Sequence, residues 1–171
     1  MIKNWFVVVL MGVIMTSCGD NLEFNYPALQ AKRDGDLWKT TSQNVSNNAG
    51  VLTINGNGNG AYITMELPEL SIGTYLFGTV SEDQVATATA TFTNKEGVVY
   101  STLFNATDNL STPNIDESAI YYAEGTIEIN DINTAEGYIS GEFWFTAYTE
   151  LGGDKVDLNQ GVFYEVPFVS E

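Results

Sequence analysis

The eleven residues YISGEFWFTAY at positions 138–148 decide the fold class of this chain, because their apolar positions repeat every second residue. One set of alternate positions holds Ile139, Gly141, Phe143, Phe145 and Ala147, and the other holds Tyr138, Ser140, Glu142, Trp144, Thr146 and Tyr148. A period of two is that of a β-strand, whose side chains point alternately to the two faces of a sheet. The segment therefore predicts a long strand with one face against a core.

The same alternation recurs along the chain from residue 28 onward, and no segment keeps a helical period. The further predicted faces are Ile63, Met65 and Leu67; Ala86, Ala88, Ala90 and Phe92; Ile127 and Ile129; and Val162, Tyr164, Val166 and Phe168. About ten short strands at this spacing are typical of all-β folds. The sequence predicts an antiparallel β-sandwich or a flattened barrel.

Residues that favour turns separate these runs. The predicted turns and breaks lie at residues 34–36, 55–60, 94–97, 133–137, 151–154 and 159–161, all rich in Asn, Asp or Gly. These residue types tolerate positive φ or bond their own backbone. One long irregular connection is expected at residues 105–119, with a helical turn near residues 115–118.

The N-terminal segment has the composition of a secretory signal. Lys3 precedes an apolar stretch over residues 5–15, which is too short for a membrane-spanning helix of about 20 residues. Met15-Thr16-Ser17-Cys18 resembles the lipobox of bacterial lipoproteins, in which the cysteine is acylated and becomes the mature N-terminus. We predict a lipoprotein signal peptide at residues 1–17, an acylated Cys18 with a short tether at residues 18–27, and one β-domain at residues 28–171.

Composition excludes several functions. With 22 acidic and six basic residues the net charge is −16, and such a surface repels nucleic acid and anionic head groups. The chain has no histidine and no cysteine besides Cys18, so histidine-based catalysis, His or Cys zinc sites and disulfides are excluded. We predict no cofactor and no metal. The oxygen-rich residues 55–59, and Asp108-Asn109 with Asp116-Glu117, are interpreted as turns rather than as a calcium site.

Carboxylates are the strongest catalytic candidates left, ahead of a Ser/Lys arrangement, for which no lysine lies in a recognisable nucleophile motif. Glycoside hydrolysis needs only two of them, about 5–9.5 Å apart. Glu66, Glu128, Glu142 and Glu165 lie on predicted strands, where one sheet face can bring two together. No sequence motif identifies two of them as a catalytic pair. We therefore interpret these glutamates as solvent-facing residues and predict that the protein is not an enzyme. A carboxylate glycosidase remains the enzymatic alternative.

Three aromatic residues form the candidate ligand site. Tyr138, Trp144 and Tyr148 share one face of the strand at 138–148, and exposed rings on a sheet can stack on sugars. The other interpretation, which we favour, is that both faces of this strand are covered and Trp144 is packed. Trp38 follows a predicted turn and is expected in the core.

Five short motifs carry a family resemblance. They are Ala31 with Gly35-Asp36-Leu37-Trp38; Ile72-Gly73-Thr74-Tyr75; Glu124-Gly125-Thr126-Ile127-Glu128-Ile129; Ile139-Ser140-Gly141-Glu142-Phe143-Trp144-Phe145; and Asn159-Gln160-Gly161-Val162-Phe163. Together they resemble a family of uncharacterised Bacteroidota cell-envelope lipoproteins. The resemblance implies an all-β envelope domain without an assigned activity, at the outer rather than the inner membrane.

These observations combine into one prediction. The chain is expected to be a lipid-anchored, non-catalytic binding or structural module, held to the membrane through Cys18, with a glycan or an envelope protein as its partner. A carbohydrate-active protein is the alternative. The sequence leaves open the ligand or partner, periplasmic or surface display, the oligomeric state, and whether an acidic loop binds Ca²⁺.

Overall fold

A computed structural model describes residues 28–78, 87–107, 120–151 and 153–168. Its regular elements are all strands, and no helix in these ranges is long and apolar enough to cross a membrane. The strands are β1 (Ala28–Arg33), β2 (Asp36–Lys39), β3 (Ser42–Asn48), β4 (Val51–Gly58), β5 (Ala61–Leu67), β6 (Gly73–Gly78), β7 (Thr89–Thr93), β8 (Val99–Ser101), β9 (Ala106–Thr107), β10 (Ile120–Tyr121), β11 (Glu124–Asn133), β12 (Tyr138–Tyr148) and β13 (Lys155–Pro167). Cys18, the tether at 18–27, Ala86 and the helical turn expected at 115–118 lie outside the described residues.

The main sheet is antiparallel and curls into a half-barrel. Its strand order is β2-β1-β13-β12-β8-β7-β5-β4-β3, while β11 pairs with β12 and with β6. Two isolated parallel bridges, Val45 with Phe168 and Phe77 with Ala88, tie separate parts of the sheet together. The predicted all-β antiparallel class is confirmed. The strands outnumber the expected ten because β8, β9 and β10 have only two or three residues each.

The core lies on the inner faces of the long strands. The inner positions of β12, from Ile139 to Ala147, are all buried, as the alternation predicted. Phe77 meets Phe145 edge-on at a centroid distance of 5.7 Å, and Trp38 meets Phe92 at 5.6 Å. Trp38 is therefore a core residue, which confirms that expectation.

Three hairpins close with two-residue turns. Asp34 and Gly35 join β1 to β2 with φ values of 51° and 94°, and residues 49–50 and 59–60 repeat this arrangement. Positive φ at both central residues defines the type I′ turn that suits the twist of a hairpin. The predicted turns at 34–36, 94–97 and 133–137 are confirmed.

The predicted break between strands at residues 55–60 is longer than the turn that the structure shows. β4 continues to Gly58, and only Asn59 and Gly60 form the turn. A Cβ at Gly58 would overlap the backbone carbonyl of Lys39, and Trp38 Nε1 donates a 3.0 Å hydrogen bond to the Gly58 carbonyl. Glycine is present here because the β1–β2 hairpin packs directly on the backbone of β4.

The predicted break between strands at residues 159–161 is wrong, because β13 runs through these residues as one strand. Gln160 and Glu165 have φ values of 50° and 48°, and the register with β12 shifts beside each of them. These are β-bulges, each of which adds one residue and reverses the faces that follow. Val162 and Tyr164 consequently lie on the opposite face from the buried Val166, so the predicted common face of 162–168 is wrong.

Candidate functional site

The three aromatic residues predicted as a ligand site do not form a common platform. Trp144 is 38% exposed, Tyr148 is only 9% exposed and packs with Ala123 and Phe104, and Tyr138 is half-buried. The Tyr138 hydroxyl accepts a 3.2 Å hydrogen bond from Asn133 Nδ2. Of the three, Trp144 alone presents a large accessible surface.

The expectation that Trp144 is packed on both sides is wrong, and its neighbours explain why. On β11 the residue directly opposite Trp144 is Thr126, a small side chain. On β13 the register passes from Gly161, opposite Phe143, to Leu158, opposite Phe145, which leaves the exposed Asn159 and Gln160 beside Trp144. Neither neighbour supplies an apolar side chain large enough to cover the indole.

Trp144 lines a surface depression with a cavity volume of about 280 Å³, here named the Trp144 groove. Its polar lining comes from three strands: Thr126 and Glu128 on β11, Glu142 on β12, and Asn159 and Gln160 on β13. The volume lies at the lower edge of the range of about 300–1,000 Å³ typical of ligand pockets.

The first bulge of β13 forms one wall of the groove. Gln160 takes a positive φ, and the residue after it is Gly161, where a Cβ would lie 2.6 Å from the ring of Phe143. Bulges next to binding sites commonly redirect side chains in this way. The bulge thus places two amide side chains, each a donor and an acceptor, beside the indole.

Two carboxylates face each other in the groove. Glu128 and Glu142 are directly paired across β11 and β12, and both are exposed. Within the described residues neither forms an ion pair, since the ion pairs there join Lys95 to Glu96 and Lys155 to Asp157. Like charges directly opposite in a sheet are destabilising, so this pair is not explained by strand stability.

The remaining predicted carboxylates are elsewhere. Glu66 lies on β5, where it accepts a 3.4 Å hydrogen bond from Thr89, and Glu165 lies at the second bulge of β13. No three of the Asp, Glu, His and Cys residues that the structure describes come close enough to hold a metal ion.

The lining of the Trp144 groove determines what it can bind. It can stack a flat apolar face on the indole of Trp144 and exchange hydrogen bonds with hydroxyl groups through the polar side chains around it.

Sequence reasoning missed Asn159 and Gln160, because they were interpreted as a break between strands. A signal for them exists: the apolar alternation of Val156 and Leu158 resumes at Gly161 and Phe163, one residue out of phase. A phase shift within a continuous strand pattern is what a bulge produces.

Comparison with known proteins gives one match. Residues 25–167 match a family described as a domain of unknown function, DUF6252. No curated protein and no solved structure shows a significant match.

Proposed function

Because the chain belongs to the DUF6252 family, whose function is unknown, we propose its function from its own residues: it is a lipid-anchored cell-envelope protein that binds a glycan in the Trp144 groove without cleaving it. The observation that carries the proposal is the exposed indole of Trp144, surrounded by carboxylate and amide side chains from three strands. The anchor and the groove are independent parts and are tested separately.

Binding follows from the chemistry of the groove. A sugar ring has an apolar face of C–H groups and a rim of hydroxyls. The indole of Trp144 offers an apolar surface for the first, and the side chains of Glu142, Asn159 and Gln160 offer acceptors and donors for the second. Five of the eight residues that line the groove are polar, which makes it more polar than most small-molecule sites and suits a ligand rich in hydroxyl groups.

Hydrolysis is the second candidate, and one observation favours it. Side chains directly opposite on neighbouring strands have Cβ atoms about 4.5–5.5 Å apart, and retaining glycosidases hold their carboxyl groups about 5–5.5 Å apart. Glu128 and Glu142 are directly opposite on β11 and β12, so their side chains begin at Cβ atoms with about this separation. Both side chains are exposed, however, and no sequence motif marks them as a catalytic pair. We therefore favour binding.

The binding test is a calorimetric titration of the full-length protein in detergent with a panel of neutral and amino-sugar oligosaccharides. We expect Trp144→Ala to weaken binding by at least about tenfold, the loss of roughly 1.4 kcal/mol of stacking. Tyr62→Ala is the matched control, since Tyr62 is 52% exposed but lies on β5, away from the groove. Equal affinity in both variants, or no binding by any oligosaccharide, would refute the glycan proposal.

The hydrolysis test uses the same oligosaccharides and chromatography of the products. A binding protein leaves them intact over long incubation. If products appear and Glu142→Gln abolishes them, the protein is a glycosidase and the non-catalytic proposal is wrong.

The anchor test is independent of the groove. Cys18→Ser removes the thiol that would be acylated, so we expect the protein to leave the membrane fraction and to lose incorporation of labelled palmitate. Ser17→Ala is the control, because it keeps a small residue before the cysteine. We expect the native protein to sediment with the outer membrane. Retention of the Cys18→Ser variant in the membrane would contradict the anchor.

A further inference from the structure

We propose that a second site, separate from the Trp144 groove, binds an oxyanion group: a carboxylate, sulfate or phosphate. It lies where the β1–β2 turn, the β7–β8 turn and the start of β13 meet, around a cavity of about 210 Å³. Three of the six basic residues of the chain, Arg33, Lys95 and Lys155, line this one cavity. Asp34 and Glu96 line it too, so the cavity keeps an excess of positive charge in a chain whose net charge is −16.

Arg33 is the central group of the site. Its guanidinium lies 5.9 Å from the ring centroid of the buried Phe92, and the residue is half-buried. Within the described part of the chain it forms no ion pair, not even with Asp36, which is directly opposite on β2. A guanidinium has five N–H donors and no acceptor, and withdrawing a charge from water without a partner is costly. The geometry leaves room for an acceptor from outside the protein.

Asn94 also presents donors rather than acceptors to the cavity. Asn94 Oδ1 accepts hydrogen bonds from the backbone amides of Glu96 and Val98 at 3.0 and 2.9 Å, so its amide N–H groups are the part left for a ligand. Asp34 also lines the cavity and is the acceptor among these groups; its Oδ1 accepts a 3.0 Å hydrogen bond from the Asp157 amide. Tyr100 lines the same cavity.

Two carboxylates compete with a ligand for the lysines. Lys95 lies 3.5 Å from Glu96, with both side chains mostly exposed, and Lys155 lies 2.8 Å from Asp157. The Lys95–Glu96 contact is a surface pair of the kind that contributes little, so an incoming anion can take its place. Arg33 can bind an anion without first releasing a carboxylate, since it forms no ion pair within the described residues.

The cavity volume limits the ligand. At about 210 Å³ it is smaller than the usual range of ligand pockets, and it suits an inorganic oxyanion or a single acidic sugar. The Trp144 groove, with Glu128 and Glu142, would repel the same ligand, so the two sites differ in the charge they accept.

The test is a calorimetric titration of the full-length protein in detergent, at constant ionic strength, with sodium phosphate, sodium sulfate and glucuronate, and with glucose as the uncharged counterpart of glucuronate. The Arg33 Nε–H resonance, followed by NMR, locates the ligand. We expect saturable binding of an anion, weakened at least about tenfold by Arg33→Gln, the loss of a charge-assisted hydrogen bond. Binding of all three anions indicates an inorganic ion, and binding of glucuronate alone indicates an acidic sugar.

Three further variants sharpen the test. Lys95→Gln should weaken binding several-fold, and Glu96→Gln should strengthen it, because it removes a competitor for Lys95. Lys39→Gln is the control, a cation on the same hairpin that does not line the cavity, and it should change nothing. If Arg33→Gln lowers the melting temperature strongly, Lys95→Gln decides, since the Lys95 side chain is 69% exposed.

Three results would each overturn the proposal. They are the absence of saturable anion binding, a shift of the Arg33 Nε–H resonance by glucose at the same concentrations as by the anions, and unchanged anion affinity in both Arg33→Gln and Lys95→Gln. A lowered melting temperature of Arg33→Gln without any anion binding would show that Arg33 only covers the Phe92 end of the core.

Discussion

Two segments with similar composition, residues 55–58 in β4 and 159–161 in β13, have different roles in this protein. Both are rich in Asn and Gly and both resemble turns, yet both lie inside strands. In β4 the burial alternation stays in phase, and Gly58 lets the backbone of Lys39 approach. In β13 the phase shifts by one residue and Gln160 takes a positive φ. In β4, where the alternation of buried and exposed residues continues unchanged, the small residues allow close packing. In β13, where the alternation shifts by one residue, the bulge changes which side chains reach the surface.

The largest effect should come from filling the space at β4. In Gly58→Ala the new Cβ would overlap the Lys39 carbonyl, a backbone atom that cannot move aside, so we expect a loss of at least about 3 kcal/mol in the free energy of unfolding. Chemical denaturation measures it. Gly153→Ala is the control, because a Cβ there meets no atom within 4 Å. Similar losses of stability in both variants would contradict the role of Gly58 in the close approach of the Lys39 backbone.

The hydrogen bond between the hairpin and β4 should have the next largest effect. Trp38→Phe keeps an aromatic ring in the core but removes the 3.0 Å bond from Nε1 to the buried Gly58 carbonyl. We expect a loss of about 2 kcal/mol, from the unpaired carbonyl and the smaller ring. Trp144→Phe, at an exposed position, should change thermal stability by less than about 0.5 kcal/mol. Equal effects at the two tryptophans would argue against the close approach.

Substitution at the first bulge of β13 should separate stability from binding. Gln160 has a φ of 50°, a conformation that costs a non-glycine residue about 1–2 kcal/mol and costs glycine little. Gln160→Gly should therefore leave stability unchanged or raise it by up to about 1 kcal/mol, while glycan affinity falls with the loss of the amide. Denaturation and calorimetry on the same preparation test both. A clear loss of stability would mean that the Gln160 side chain holds the bulge.

The smallest effect concerns the start of β13, before that bulge. Burial alone would raise the pKa of Asp157, but hydrogen bonds from Lys155 and Thr146, the latter at 2.7 Å, outweigh it and lower the pKa below its ordinary value. The hydrogen bond to Asp157 likewise raises the pKa of Lys155. Because the folded state favours the carboxylate, its contribution is present above the unfolded pKa of about 3.9 and is lost as pH falls through the folded pKa.

The pH test compares native protein with Asp157→Asn by denaturation from about pH 6 to about pH 2. The difference in unfolding free energy should be largest at the upper end, stay below about 1 kcal/mol because the pair is partly exposed, and shrink at the lower end. A difference that grows as pH falls would contradict the assigned direction.

The features that sequence predicts well here are local ones. The buried face of β12 follows from period two, and the turn at Asp34 and Gly35 follows from residues that accept positive φ. The exposure of Trp144 was not predictable in this way, because it depends on which residues β11 and β13 place beside it. The bulges were visible only as a phase shift. The meeting of Arg33, Lys95 and Lys155 depends on the order of strands in the sheet, which no local pattern specifies.

The pairing of β1 with β13 has a consequence for how the chain folds. Leu29 and Phe163 face each other although they are 134 residues apart in sequence, and β13 also supplies the partner for β12. Contacts between such distant segments carry a large loop-closure entropy and slow the folding of β proteins. A chain that stops before Lys155 has no strand to receive the β1–β2 hairpin. β1 therefore gains its second neighbouring strand only when β13 is available, and folding of the described sheet is completed late.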